Sequence, residues 1–348
     1  MMVVLGVDAH KRSHTVVAAG EGGEELGRIG VAADREGHLR ALIWAARFAE
    51  RRWAIEDCRD LSRRLEGDLV CAGELVVRVP PKMMAGVRRS ARTRGKSDPI
   101  DALAVARAAL SEPGLPVARL EGPAREVRLL VDYRETLVKA RTAAQNSLRW
   151  RLHELEPGFD PKPGSLNSAK TLAEVEKVLA NHGGVVADLA RRETTRIGEL
   201  TKEANQLQAE IATRVASLAP SLLAIPGCGV LSAAKLVGET ADPTRFKSAD
   251  AFAMWAGVAP IPVWSGNAER FRLNRGGNRQ VNAAVYRIAI TQLRIHDPAR
   301  TQAARHQAAG KTKREALRIL KHRISHVAFR AMLEDSQTHQ PVKSERVV

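Results

Sequence analysis

Cysteine is scarce in this 348-residue chain, and its three copies, Cys58, Cys71 and Cys228, form no CxxC pair. That excludes a disulfide framework and a cysteine-ligated zinc site as organising principles, and the cytoplasm is the expected compartment. No apolar run reaches the roughly 18 residues that span a bilayer, and the first residues enter a strand pattern rather than a basic-then-apolar leader. A soluble, untargeted chain with no membrane partner is expected. Acids are nearly missing from two stretches. Residues 78–97 hold seven Lys and Arg and no acid, and residues 265–330 hold fifteen against Glu269, Asp297 and Glu315. Together these carry more positive charge than the chain's net +16, so the remainder is slightly acidic. Charge focused in this way points to a polyanion such as nucleic acid.

What is present falls into three textures. Residues 1–122 alternate strands and helices: β-rich runs at 2–9, 15–19 and 24–31, an apolar stripe of Leu39, Leu42, Ile43, Ala46 and Ala49 at helical spacing over 34–50, a strand at 53–56, a helix at 61–72, a strand at 75–79 and a helix after Pro99. That is the element order of the α/β ribonuclease H fold. Residues 123–219 predict long helices, with one seam of Ile197, Leu200, Ala204, Leu207, Ile211, Val215 and Leu218. The seam fits a coiled-coil connector, within or between protomers, and equally two helices packing on their own domain. Residues 220–335 read as a mainly α domain with Gly-rich joints, and 336–348 as a disordered polar tail.

Four acids fall where strand and helix ends would gather them: Asp8 after an apolar strand, Glu56 after another, and Asp98 and Asp101 opening a helix. An acid ending a buried strand is costly unless paired or metal-bound. Hard oxygen ligands so gathered suit Mg²⁺. Capping is the alternative for Asp98, which precedes Pro99, and for Asp101 in the first turn.

Residues 225–236 place Gly227 and Gly229 in a tight turn ahead of a helix, the pattern of a helix-hairpin-helix, where backbone N–H groups reach a phosphate. An ordinary helix–helix turn is the alternative. Ser265 lies in a Pro- and Gly-punctuated loop ahead of Arg270, Arg272, Arg275 and Arg279. A hydroxyl there can attack a phosphodiester while guanidinium groups stabilise the charge that develops, although many serines beside glycine are only turn residues. Arg88, Arg89 and Lys96 of the upstream basic stretch join these arginines as candidate nucleic-acid contacts. Residues 294–330 suit helices that lay a charged face on a phosphate backbone, a solvated face being the alternative.

These segments together resemble the DEDD transposases of insertion sequence family one-ten, the bridge-RNA-guided serine recombinases. The resemblance is carried by Gly6-Val7-Asp8-Ala9-His10-Lys11, Ala54-Ile55-Glu56, Gly95-Lys96-Ser97-Asp98-Pro99-Ile100-Asp101-Ala102, Ile225-Pro226-Gly227-Cys228-Gly229 and Ser265-Gly266 with the following Arg and Gly-Gly-Asn-Arg stretch. It implies a RuvC-like domain, a helical connector and a transposase domain. It also implies Asp8, Glu56, Asp98 and Asp101 as metal ligands, Ser265 as nucleophile, donor and target DNA as substrates, a noncoding guide RNA, and a homo-oligomer, dimer or tetramer, in which acids and serine meet. Many relatives follow the glutamate with a small residue, Thr and Gly, whereas here Asp57-Cys58-Arg59 follows, which makes Asp57 a rival ligand. Ser232 and Ser248 are rival hydroxyls. Two other functions remain open: a metal-dependent junction nuclease using activated water, and a non-catalytic nucleic-acid scaffold.

Overall fold

The computed structural model describes residues 2–56, 61–80, 83–84, 97–112, 114–118, 122–265, 268–274 and 276–338, with backbone alone at 264–265 and 268–270. The chain divides into two compact units, Met1–Glu121 and Gly122–Val348. No helix among the described residues is long and apolar enough to cross a membrane.

The first unit is a five-stranded mixed sheet in the order β3-β2-β1-β4-β5. Strands β1 (Val3–Ala9), β2 (Ser13–Ala19) and β3 (Glu25–Ala32) form an antiparallel meander, and β4 (Arg51–Glu56) and β5 (Val76–Val79) add parallel to β1. This is the ribonuclease H-like arrangement that the element order predicts. Alternation along the strands makes two cores. Val3, Leu5, Val7, Trp53 and Ile55 face α1 (Arg35–Ala45) and α2 (Arg63–Cys71), while Val4, Ala54, Val77 and Val79 face α3 (Asp98–Ser111). Each large apolar side chain fully buried in this way contributes about 1.5–3 kcal/mol.

Helix α1 corrects one expectation. It ends at Ala45 and buries Gly37, His38, Ala41 and Ala45, while of the apolar stripe only Leu42 packs partly against the core. Leu39 and Ile43 are 55% and 66% exposed. The reason is close approach, because a side chain at Gly37 would stand 2.0 Å from the Ala32 carbonyl oxygen, so the face carrying Gly37 turns toward the end of β3.

In the second unit, α4 (Pro123–Leu155) and α6 (Val185–Leu218) pack along their length. Bonds from Arg214 to Glu126, Tyr133 to Glu203 and Arg151 to Glu193 show that they run antiparallel. Ile197, Ala204, Ile211 and Val215 of the seam are buried within this chain. At one end α5 (Ala169–Leu179) closes a small core with Leu148, Leu152 and Ile197. At the other, Val127, Val131, Ile211 and Val215 share the main core with α7 (Pro220–Leu223), α8 (Val230–Thr240), α9 (Ala249–Trp255), α10 (Arg279–Ile295), α11 (Asp297–Ala308) and α12 (Lys313–Thr338).

A hairpin stands between α9 and α10. Strands β6 (Ile261–Ser265) and β7 (Ala268–Arg272) pair antiparallel where a loop was expected, and Pro262 is tolerated because a two-stranded sheet consists only of edges.

Candidate active site

The site is set by strand parity. Val4 and Gly6 face α3, so Asp8, two residues on, emerges on that side at the end of β1. Val7 pairs with Ile55 in parallel register, so Asp8 and Glu56 are the next residues on adjacent strands. Ala54 packs toward α3, and Glu56 shares its face. A Cβ on Gly6 would stand 2.1 Å from the Ala102 carbonyl oxygen and 2.6 Å from the Ala106 nitrogen, so α3 rests directly on β1. Ala102 follows Asp101, and the first turn of α3 therefore comes down beside the end of β1. The positive end of the helix dipole there favours negative charge near Asp98 and Asp101.

Ser97, not Asp98, occupies the cap position, and its side chain makes no capping bond; Asp98 is the first helical residue. Capping therefore does not explain Asp98. Between the two aspartates stands His10, for which the sequence alone predicts no role. Its Nε2 lies 3.1 Å from Asp8 Oδ2 and 3.6 Å from Asp98 Oδ1. One ligand atom from each of the three falls within 4.8 Å of the others. The available signal was the Asp-x-His spacing, which puts both side chains on one face of an extended segment.

Burial pushes the Asp8 carboxyl above its ordinary value of 3.8; His10 opposes this through charge and a hydrogen bond, and Asp101 and Asp98 add to the rise. Three carboxylates thus act on one point, where the His10 ring lies against Asp8 and Asp98. The charges of Asp98 and Asp101 act on Asp8, and Glu56 ends the strand next to it in register. Asp57, Arg88, Arg89 and Lys96 lie outside the described residues.

In the second unit, Gly227 has φ +79° and packs against α10, where a Cβ would stand 3.1 Å from the Ile288 carbonyl oxygen. Gly229 caps α8 in extended conformation with open space beside it. The Cys228 thiol between them is buried, which pushes it up to about 12. Ser265 is the last residue of β6, paired with Ala268, and Arg270 lies on β7; the side chains of both are outside the described residues, as is all of Arg275. Arg272 and Arg279 are exposed at the end of β7 and the start of α10. Of the rival hydroxyls, Ser232 is buried and Ser248 accepts from the Ala251 N–H as the cap of α9. Further along, Arg294, Arg305, Lys313, Arg314, Arg318 and Arg330 are exposed on the helices, and Lys311 on the connection between α11 and α12.

Two family models match the chain. The DEDD model of IS110-type transposases matches residues 5–157, a range that holds all four acids, and the model described as the IS116/IS110/IS902 transposase family matches residues 219–305, which hold Ser265 and the arginines after it. The chain is 28% identical over 389 aligned positions to the 42 kDa protein of insertion element IS900 of Mycobacterium paratuberculosis, covering 97% of each. It is 27% identical over 384 positions to the 44.8 kDa protein of IS116 of Streptomyces clavuligerus, covering 97% of this chain and 96% of that one. Among solved structures, T. thermophilus RuvC in complex with a Holliday junction substrate matches at 14% identity and a TM-score of 0.27, over 34% of this chain and all of that one.

Proposed function

The chain belongs to the IS110 family of DEDD transposases, and from that premise we propose that it cuts and rejoins DNA through a phosphoserine intermediate, assisted by Mg²⁺ and guided by a noncoding RNA. The observation that carries the reading is the meeting of Asp8, His10 and Asp98 at one strand end, with Asp101 beside them.

The residues fit a hard divalent cation. Asp8 carries the strain of burial beside two like charges, and a cation relieves that strain. Asp8, Glu56, Asp98 and Asp101 would hold Mg²⁺, which supplies charge stabilisation at a phosphate. His10 donates to Asp8 and holds its oxygen toward Asp98. The positive end of the α3 dipole lies beside both of its acids.

The Ser265 hydroxyl oxygen attacks phosphorus, the bond from phosphorus to a sugar oxygen breaks, and that oxygen leaves with a proton. Attack by a sugar hydroxyl of another DNA end reverses the step and frees the serine, so no bond energy is lost to water. Support comes from the family, from the capping and burial that occupy the rival serines, and from the arginines that follow. Arg270, Arg272, Arg275 and Arg279, with Arg88, Arg89, Lys96 and the open helix start at Gly229, contact phosphates; Gly227 shapes that turn. The pair α4 and α6 serves as the coiled-coil connector, the chain works as a homo-oligomer in the cytoplasm, and the family resemblance supports the guide RNA.

Wild-type protein with Mg²⁺, element RNA and DNA should give a denaturation-resistant protein–DNA adduct, and Ser265→Ala should give none. An adduct from Ser265→Ala sinks the nucleophile assignment. Cleavage to free ends with no adduct from wild type favours activated water instead.

A further inference from the structure

A second cluster of ligating side chains lies in the second unit. His322 and His326 are one turn apart on α12, with ring centroids 4.4 Å apart. Asp250, in the first turn of α9, faces both: its Oδ1 is 3.2 Å from His326 Nε2 and 3.9 Å from His322 Nε2. A tetrahedral ion with bonds of about 2.0–2.2 Å holds its ligand atoms roughly 3.4 Å apart, a spacing those two distances bracket.

His326 supplies an independent sign. Its Nε2 is buried and has no hydrogen-bond partner, because the contact to Asp250 has the distance of a hydrogen bond without its direction. A buried ring nitrogen left in that condition costs free energy that a metal bond recovers. The frame is stiff, since Phe252 beside Asp250 stacks on Phe329 beside His326 at 5.4 Å, and Phe246 and Trp255 close around them. Asp250 itself is 81% exposed and leaves a path for an ion.

The geometry points to a transition-metal site in which Asp250, His322 and His326 hold a Zn²⁺-class ion, with the fourth position left to water. Two imidazoles select Zn²⁺, Co²⁺ or Ni²⁺ over Mg²⁺, which prefers oxygen, so this site and the acids around Asp8 sort different metals. The ion ties α9 to α12. Because α9 leads into β6, it also fixes the root of the strand that ends in Ser265.

The test uses the full chain carrying Asp8→Asn and Asp98→Asn, stripped with chelator and titrated with Co²⁺ as a visible probe. One equivalent should develop the absorption of a four-coordinate nitrogen and oxygen site and be displaced by Zn²⁺. Zn²⁺ at about a hundredfold over Kd should raise Tm by about 5 °C or more. His322→Ala and His326→Ala should each weaken binding by at least about tenfold and lose the Tm shift. Should either fail to fold, Asp250→Asn decides, because its exposed position leaves folding intact; it too should weaken binding at least about tenfold. An unchanged Co²⁺ spectrum in Asp250→Asn, or no spectrum in the parent protein, overturns the proposal.

Discussion

Gly6 of β1 and Ala102 of α3 approach so closely that a methyl group on Gly6 would stand 2.1 Å from the Ala102 carbonyl oxygen. Backbone cannot yield as a flexible side chain does, so the contact demands glycine. It is also what lowers the first turn of α3, with Asp98 and Asp101, to the level of Asp8.

Gly6→Ala is therefore expected to destabilise the first unit by about 1–3 kcal/mol, as overpacking does, and to weaken divalent-metal binding at the acids in proportion. Urea unfolding and Mn²⁺ titration check this. Wild-type metal affinity in the variant would separate the contact from the site.

Asp8→Asn should abolish strand transfer yet raise Tm by about 1–4 °C in chelator at pH 7. The sign follows from the raised carboxyl: the folded state holds the proton more tightly than the unfolded one, so ionisation above the usual range near 3.8 costs stability that Asn escapes. The gap should close as the pH falls below that range.

His14 and His38 form a buried pair, Nε2 to Nε2 at 3.2 Å, and His38 Nδ1 lies 2.5 Å from Asp68 Oδ2. Burial, then His38 and His10, lowers His14 to about 4. The unfolded chain takes up a proton near 6.5 that the fold refuses, so stability should hold above pH 6.5 and fall below it, by up to about 1.4 kcal/mol per pH unit. Urea melts at pH 7, 6 and 5 should show the slope in wild type and a flatter one in His14→Gln.

Lys235 is 2% exposed on α8, with its Nζ 2.6 Å from Asp132 Oδ1 and 3.0 Å from Glu135 Oε2 on α4. Replacing both acids with Ala strands a buried ammonium and should cost about 3–5 kcal/mol. Lys235→Met leaves only carboxylates that water already reaches, so its cost should be about 1 kcal/mol or less. Equal losses by chemical denaturation would refute this asymmetry.

Arg272→Ala and Arg279→Ala should weaken DNA binding alike for all sequences, each reducing the slope of log affinity against log salt by about 1. A change in sequence preference instead would mean that they read bases.

The sheet was legible because alternation has a period of two, and acids ending apolar runs stand out against it; Asp8 and Glu56 were visible for that reason. His10 was not, because a histidine in a polar turn has no local signature beyond its two-residue offset from Asp8. The buried face of α1 was misread because hydrophobicity favours Leu39 and Ile43, whereas closeness to β3 demands Gly37 and Ala41. Pro262 and the glycine after Ser265 concealed a hairpin whose strands need no interior position. The spacing of His322 and His326 was there to be read, but their partner Asp250 arrives from a distant segment that only folding brings near.

The paired helices α4 and α6, 33 and 34 residues long, reach about 50 Å. Over such a lever, one degree of tilt at the end that shares the main core carries the far end, near the exposed ring of Trp150, by nearly 1 Å. A molecule gripping that end gains mechanical advantage over the bundle at the root, and a small rearrangement there is magnified outward.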